Sequence, residues 1–292
     1  MSNSTQAAKA QRFAALHRED GIIVLPNCWD VGSACVLAAA GFRAIATTSG
    51  GCAFSLGYCD GETPRFEMLA AVKRIAQAVA IPVSADMEAG YGKSPEEVAE
   101  TVRLTIEAGA VGINIEDGDK SGPRRLFDFD LSVARIQAAV EAAKASGMEI
   151  VINARTDGYM IGNSDTVFEE TVRRANAYLD AGAGSAFVMG ARDGELIARL
   201  VKAIHGPLNI LAGPGTRRWP SLPKWASSGL RSAPTSPRRR SHWSGARPRS
   251  CPVPVPTASQ NAPLPSRRFT ASCAANKRPF QYTPGIPSAR CT

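Results

Sequence analysis

Short apolar segments and helical segments alternate along the first 216 residues, and this alternation restricts the possible folds more than any other feature of the chain. Seven apolar segments of strand length are separated by patterns with helical periodicity. Such alternation is typical of a parallel sheet with right-handed crossover helices. The predicted strands are 22–26, 44–49, 82–88, 112–116, 149–155, 185–189 and 208–212.

Six helical segments follow the first six strands, and an extra helix at about 6–17 precedes the first strand, so the seven strands define seven β/α units. Ser94, Pro95 and Glu97 form a clear helix start, because Ser caps, Pro suits the first turn and Glu reaches back to the cap. Seven units predict an α/β fold, a (β/α)₈ TIM-type barrel whose eighth strand and C-terminal helices are missing. An open doubly wound sheet is the alternative, although no Gly-x-Gly-x-x-Gly follows the first strand. The predicted helices are 6–17, 32–40, 65–79, 95–108, 131–146, 166–181 and 195–205.

Charged residues follow three of the predicted strands at their carboxyl ends. The third strand ends in Asp86 and Glu88, the fourth in Glu116 and Asp117, and the fifth in Arg155. Because side chains alternate along a strand, we expect Asp86 and Glu88 on the same face. The carboxyl ends of the strands carry the active site of a parallel barrel. No Lys or Arg lies beside these two carboxylates, so they repel each other unless a cation binds between them, and oxygen ligands of this kind suit Mg²⁺ or Mn²⁺. The pattern therefore predicts a Mg²⁺ or Mn²⁺ site. The alternative is that both acids are simply solvated at the end of the strand.

The net charge of +8 conceals a division of the chain into two kinds of sequence. All 26 acidic residues and 20 of the 34 basic residues lie in 1–216. Residues 217–292 contain 14 Lys and Arg, no Asp or Glu, and 13 of the 20 prolines. We therefore predict that 1–216 form an incomplete barrel domain with the catalytic residues, and that 217–292 form a disordered basic tail rich in Pro, Ser and Arg.

The tail has two interpretations. It could bind nucleic acid or an acidic partner, as basic low-complexity segments do. The favoured interpretation is a shifted reading frame after Thr216. In the frame made of each codon's third base and the next two bases, Trp219-Pro220 must encode Ala and Trp225-Ala226 must encode Gly. Across 219–226 and 240–250, the permitted codons allow the shifted frame to encode helical sequences. A complete barrel would need such helices at its C-terminal end.

Cysteine usage and hydropathy bear on the compartment. Cys28, Cys35, Cys52 and Cys59 match no zinc-site spacing, and buried thiols are typical of a reducing cytoplasm. The N-terminus is polar, and no stretch reaches the ~18 apolar residues of a membrane span. We therefore expect a cytoplasmic protein without a membrane partner.

Several short motifs resemble those of the isocitrate lyase/phosphoenolpyruvate mutase superfamily over about residues 10–216. The resemblance implies a (β/α)₈ barrel, often a tetramer that exchanges its last helix, which makes or breaks a C–C or P–C bond next to an α-oxo acid through an enolate on Mg²⁺. The motifs are Asn27-Cys28-Trp29-Asp30, Thr48-Ser49-Gly50-Gly51, Gly57-Tyr58-Cys59-Asp60, Asp86 to Gly92, Ile115-Glu116-Asp117, Ala154-Arg155-Thr156-Asp157 and Arg174-Ala175-Asn176-Ala177-Tyr178.

The resemblance also implies a metal-binding set. Asp86 would bind Mg²⁺ (or Mn²⁺) directly, whereas Glu88, Glu116 and Asp60 would hold it through waters. Asp60 and Glu116, together with Arg155, are the implied catalytic residues. Independently, an enolate beside a carboxylate needs a cation and fixed donors to form at neutral pH.

A second implied set binds the substrate, a small carboxylate. Ser49, Gly50 and Gly51 would offer backbone and hydroxyl donors to the carboxylate. Arg155 would neutralise charge on the substrate and the transition state. Trp29 would form a wall of the pocket.

Two departures from the family pattern argue against particular reactions: one against cleavage of isocitrate or 2-methylisocitrate, the other against the mutase reaction. The loop 118–126 has neither the Cys nor the His that isocitrate and 2-methylisocitrate lyases carry there. Met189-Gly190 occupies the position of a mutase His. The leading hypothesis is a Mg²⁺-dependent carbon–carbon lyase or oxo-acid decarboxylase, with a homo-oligomer expected from the family. The alternatives are a P–C mutase or hydrolase, an inactive truncated product, and a nucleic-acid-binding protein acting through its tail.

Overall fold

Seven parallel strands form one curled sheet, and helices connect successive strands on its outside. The computed structural model describes residues 3–19, 21–119 and 124–212. The strands are β1 (Asn27–Cys28), β2 (Ile45–Thr47), β3 (Val83–Asp86), β4 (Gly112–Glu116), β5 (Gly118–Asp119), β6 (Arg125–Leu126), β7 (Val151–Thr156), β8 (Ser185–Val188) and β9 (Leu208–Ile210). The helices are α1 (Asn3–Arg18), α2 (Val31–Ala39), α3 (Ser49–Leu56), α4 (Arg65–Ala78), α5 (Pro95–Glu107), α6 (Phe129–Ala145), α7 (Gly158–Ile161), α8 (Asp165–Asp180) and α9 (Gly194–Ala203).

The strand order distinguishes the two predicted architectures. The large sheet runs β1-β2-β3-β4-β7-β8-β9, so each strand pairs with the next strand of the sheet in chain order. A doubly wound sheet would reverse its order at a switch point. The order therefore confirms the TIM-type (β/α)₈ fold without its eighth unit, since the described part of the chain contributes seven strands to this sheet. The tail 217–292 lies outside the described residues, and its predicted disorder and shifted frame stay predictions.

The first strand lies later in the chain than predicted. The segment 22–26 is not a strand; β1 instead pairs Asn27 with Ala46 and Cys28 with Thr47. Ile22 and Val24 are exposed, and the adjoining apolar residues Ile23 and Leu25 pack against the α1 cluster. The apolar residues of 22–26 therefore mark the segment that leads into the strand. The strand itself begins at Asn27, where the pairing with β2 begins.

Three further features were not predicted: a hairpin, helix α3 and the four-residue helix α7. The short antiparallel hairpin β5–β6 follows β4. Helix α3 begins directly after β2, where Gly50 and Gly51 suggested a turn; the Thr48 side chain caps it by accepting from the Gly51 amide at 3.4 Å. The helix ends at Gly57, whose φ of 85° is the left-handed conformation that glycine adopts readily.

Helix α1 closes the amino end of the sheet. Phe13 and Leu16 are buried with Val111 and Val151, near the starts of β4 and β7. The Lys9 Nζ donates to the Val79 carbonyl at 2.7 Å, just after α4, and thereby satisfies an orphan helix-end acceptor. The charged residues Asp86, Glu116 and Arg155 lie at the opposite, carboxyl end of the sheet. No helix in the described part of the chain is long and apolar enough to cross a membrane.

Candidate active site

The Asp86 carboxylate, at the end of β3, is held by donors from three different elements. Oδ2 accepts from the Ser49 amide at 3.2 Å and from the Ser49 hydroxyl at 2.8 Å. Oδ1 accepts from Asn114 Nδ2 at 3.0 Å and from the Glu88 amide at 3.3 Å. Four donors fix the orientation of this carboxylate before any ligand arrives.

The turn after β3 carries local backbone strain. Glu88 and Tyr91 have φ values of 50° and 55°, and they are the two non-glycine residues with positive φ in the described ranges. Such residues cost roughly 1–3 kcal/mol each and persist where the surroundings over-determine them. Glu88 is therefore placed by a turn and not by strand alternation, which corrects the expected geometry. Its side chain is buried and accepts from the Tyr91 hydroxyl at 3.5 Å.

Three consecutive carbonyls of this turn each have a separate donor. The Glu88 carbonyl accepts from the Glu116 amide at 2.9 Å. The Ala89 carbonyl accepts from Arg135 Nη2 of α6, and the Gly90 carbonyl accepts from Thr101 Oγ1 of α5 at 2.7 Å. The strained turn is thus fastened to β4, α6 and α5, which keeps Glu88 beside Asp86.

Arg155, near the end of β7, is clamped between two carboxylates. Its Nη1 lies 2.8 Å from Glu116 Oε2, while Nε and Nη2 donate to the two Asp157 oxygens at 2.6 and 3.0 Å. Burial by itself lowers the pKa of the Arg155 guanidinium, but the charges of Glu116, Asp157 and Asp86 outweigh it and raise the pKa overall. The Arg155 guanidinium therefore stays protonated, and its two carboxylate partners fix its orientation.

A buried network supports the β7 exit from behind. Asp117 Oδ2 accepts from the Tyr178 hydroxyl at 2.7 Å and from Arg174 Nη1 at 3.3 Å. Its Oδ1 accepts from the Asp157 amide at 2.9 Å. Burial and the Asp117 charge raise the pKa of Tyr178, so the hydroxyl remains a donor. Asp117 therefore fixes the loop that carries the Arg155 clamp.

Four of the predicted substrate-binding residues, Trp29, Ser49, Gly50 and Gly51, lie at or against the start of α3, whereas Arg155 lies on β7. A Cβ added at Gly51 would lie 2.9 Å from Trp29 Cβ, so the Trp29 side chain packs over this backbone. A Cβ added at Gly50 would lie 3.2 Å from Asp60 Cγ, which brings Asp60 to the same helix start. Ser49 differs from the expectation, because its amide and hydroxyl both donate to Asp86.

The predicted metal-binding carboxylates do not form a preassembled cage. Across the described ranges, no group of three or more His, Cys, Asp and Glu side chains could hold a metal ion. Asp86 faces Ser49 and Asn114, and Glu116 faces Arg155. Carboxylate oxygens are of the type that Mg²⁺ prefers; a Mg²⁺ ion here would take Asp86 as its direct ligand and complete its shell with waters, since Mg²⁺ usually keeps several waters.

Charge at this end of the sheet favours a cation. The carboxylates of Glu116, Asp157 and Asp86 all raise the pKa of the one Arg155 guanidinium, so negative charge exceeds positive charge around that side chain. Such an excess of one sign attracts counter-ions.

The cysteines near the site are poor nucleophiles. Burial raises the pKa of Cys52 to about 12, with the charges of Cys28 and Asp86 adding to the effect. Burial likewise raises the pKa of Cys28 to about 11. Both thiols therefore stay protonated at neutral pH, and thiolate chemistry has no support at these two positions.

Several residues of the site escaped sequence analysis. Asn114 donates to Asp86, and Asn153 donates to Asn114. Thr101 and Arg135 donate to carbonyls of the turn after β3. Polar Asn114 and Asn153 inside apolar strands were the available signal, since a polar side chain in a buried strand needs a partner. No local pattern marks Arg135, whose partner lies 46 positions away.

A curled parallel sheet that carries acids and one clamped arginine at its carboxyl end is the arrangement typical of (β/α)₈ enzymes. The profile of the phosphoenolpyruvate phosphomutase family matches residues 13–236. The chain belongs to this family, and with it to the isocitrate lyase/phosphoenolpyruvate mutase superfamily.

Individual relatives agree with this assignment. The chain is 38% identical over 204 residues to an uncharacterized protein of Mycobacterium tuberculosis, covering 70% of this chain and 74% of that protein. It is 32% identical over 228 residues to 2-methylisocitrate lyase of Escherichia coli K12, covering 75% and 73%. A crystal structure of 2,3-dimethylmalate lyase superposes with a TM-score of 0.67 at 33% identity, covering 77% of this chain and 79% of that one.

Proposed function

We propose that this chain is a divalent-cation-dependent lyase that cleaves or forms a C–C bond next to the oxo group of a small α-oxo acid. Two of the relatives are lyases by name, and both names denote small branched carboxylates as substrates. The Arg155 clamp carries the proposal. A permanent cation held at the same end of the sheet as Asp86 can receive negative charge that develops on a carboxylate substrate.

The chemistry requires charge to move in a defined direction. In cleavage, a 2-hydroxy acid loses its hydroxyl proton to a base, the oxo group forms, and the adjacent C–C bond breaks. The electron pair stays on the departing carbon as an enolate, which then takes a proton. A bound Mg²⁺ would supply Lewis-acid stabilisation of the oxygen that becomes the oxo group.

The residues of the chain have separate tasks in this scheme. Arg155 would stabilise the developing enolate charge. Glu116 and Asp157 hold the guanidinium in place, so little reorganisation is needed at the moment of reaction. Trp29, over the start of α3, would exclude water from one side of the substrate. Asp86, Glu88 and Asp60 would hold the cation, the first directly and the others through water.

The test is a substrate panel with the full chain. 2-Methylisocitrate, 2,3-dimethylmalate and oxaloacetate are incubated with Mg²⁺ or Mn²⁺, and oxo-acid release is measured by hydrazone formation, with acetate or oxalate release followed by chromatography. Arg155→Lys keeps the charge but loses the planar fork, so kcat should fall about 100-fold or more. Arg199→Lys is the matched control, because Arg199 forms an exposed pair with Asp165 on the outer helices. Turnover that is absent, independent of the cation, or equal in both variants contradicts the proposal.

Bond rearrangement at phosphorus is the second candidate, because the matching family profile is that of a phosphomutase. The same anion-binding groups could hold phosphoenolpyruvate or phosphonopyruvate. Phosphorus NMR of each compound incubated with the chain and Mg²⁺ separates the two candidates. Interconversion of the pair, without cleavage of the 2-hydroxy acids, would favour the mutase.

A further inference from the structure

A row of polar side chains crosses the interior of the sheet and ends on Asp86. Strand register places Asp86 beside Asn114, Asn114 beside Asn153, and Asn153 beside Ser185. The four residues thus occupy neighbouring positions on β3, β4, β7 and β8. The interior of such barrels is normally filled by branched apolar side chains, so three consecutive polar positions are unusual.

The hydrogen bonds along this row all have the same direction. Ser185 Oγ donates to Asn153 Oδ1 at 2.7 Å, Asn153 Nδ2 donates to Asn114 Oδ1 at 3.0 Å, and Asn114 Nδ2 donates to Asp86 Oδ1 at 3.0 Å. An ionised carboxylate can only accept, which requires Asn114 to present its amide nitrogen. Asn153 then holds the Asn114 oxygen, and Ser185 holds the Asn153 oxygen.

We infer that Asn114, Asn153 and Ser185 are positioning residues, a relay that fixes the Asp86 carboxylate for the cation. The inference rests on the proposed function, because it concerns the carboxylate that would bind the cation directly. Ser185 touches neither Asp86 nor its turn in any described contact, and acts through two intervening amides. Asn114 and Ser185 are almost fully buried, at 6% and 4% exposure, and Asn153 between them is half-buried.

Breaking a link has a definite physical consequence. In Asn153→Leu the Asn114 oxygen loses its donor, and only the bond to Asp86 still orients the Asn114 amide. The amide then has more orientational freedom, which weakens its charge-assisted bond to Asp86. The effect should weaken with distance from Asp86, because each further link acts only through the next amide.

Binding of Mn²⁺ to the full chain in the absence of substrate measures this effect without any turnover. We expect the Mn²⁺ dissociation constant, from electron paramagnetic resonance titration, to rise about tenfold in Asn153→Leu, which is ~1.4 kcal/mol. Asn114→Leu should weaken binding more, and Ser185→Ala less. Ser185→Thr keeps a hydroxyl and should restore the affinity of the unmodified chain.

Asn176→Ala is the matched control. Its amide bonds the Ala203 carbonyl and the His205 backbone at 3.0 and 3.1 Å, between α8 and β9. It should lower thermal stability and leave Mn²⁺ affinity unchanged. Circular dichroism confirms that each variant is folded before its titration is compared.

The outcomes are distinct. A graded loss of affinity, restored in Ser185→Thr and absent in Asn176→Ala, supports the relay. Unchanged affinity in folded Asn153→Leu and Asn114→Leu overturns the relay but leaves the cation site intact. An unmodified chain that binds no Mn²⁺ overturns the cation site and the relay together.

Discussion

Thr101 offers a direct test of whether the strained turn after β3 is fastened from outside. The hydroxyl of this fully buried residue donates to the Gly90 carbonyl at 2.7 Å. Thr101→Val keeps the shape of the side chain but removes both the donor to Gly90 and the oxygen that accepts from Arg65 Nη1 at 3.3 Å. Gly90 is itself buried, so its carbonyl would have no water to take the place of the hydroxyl.

The size of the effect follows from the buried acceptor. A buried acceptor that loses its donor costs roughly 1–3 kcal/mol. The turn also holds two residues with positive φ, each at roughly 1–3 kcal/mol, so its fastenings offset a cost of similar size. We therefore expect Thr101→Val to lower the free energy of unfolding by about 1–3 kcal/mol.

Thr105→Val supplies a matched control on the same helix. Thr105 is equally buried, and its hydroxyl donates at 2.7 Å to the Thr101 carbonyl within α5. That carbonyl belongs to the helix ladder, so removal of the hydroxyl does not isolate it, and the expected loss is at the lower limit for a hydrogen bond, about 0.5 kcal/mol. Urea denaturation of both variants gives the comparison. Equal midpoints would refute the idea that Thr101 restrains the turn.

Three shorter predictions concern other parts of the chain. Gly51→Ala should destabilise the fold by about 1–3 kcal/mol in a thermal melt, because its Cβ would lie 2.6 Å from Thr48 Cγ2; an unchanged melt would refute the close packing. Cys52 should resist alkylation at about pH 8 while exposed Cys35 reacts, as read by peptide mass spectrometry. Because the folded pKa of Cys52 lies above its ordinary 9.0, its contribution to stability holds below pH 9.0 and is lost as the pH rises toward about 12. Coding DNA around codon 216 should reveal the shifted frame, and restoring the frame should raise solubility; an unbroken natural frame would end this hypothesis.

The strands and most helices could be predicted because each depends on local periodicity. Strand β4 was predicted at its observed bounds, 112–116, since an apolar run ends there in two acids. The segment 22–26 was wrongly predicted as a strand, because its apolar residues Ile23 and Leu25 pack against helix α1 and do not pair in the sheet. Helix α3 was missed because its glycines resemble a turn, and only its cap at Thr48 and packing under Trp29 make it a helix.

The site could be predicted only in part, because its contacts join distant positions. Asp86, Glu116 and Arg155 were expected at one end of the sheet, and the structure places them at the ends of β3, β4 and β7. Their protein partners were not foreseen, because pairing Arg155 with Glu116 depends on the register of two strands. The strain at Glu88 also escaped prediction, since it comes from fastenings contributed by three separate elements.

Register is what connects the fold to the chemistry proposed for it. Asn114 reaches Asp86 because the two residues are partners between β3 and β4. A slip of one position would bring Ile113 or Ile115 to that place and turn Asn114 to the other face. Asp86 would then lose its amide donor, and Asn153 would lose its acceptor. The apolar residues that alternate with Asn114 on β4 therefore do more than fill a core: their burial determines which face of the strand supplies polar groups to the site.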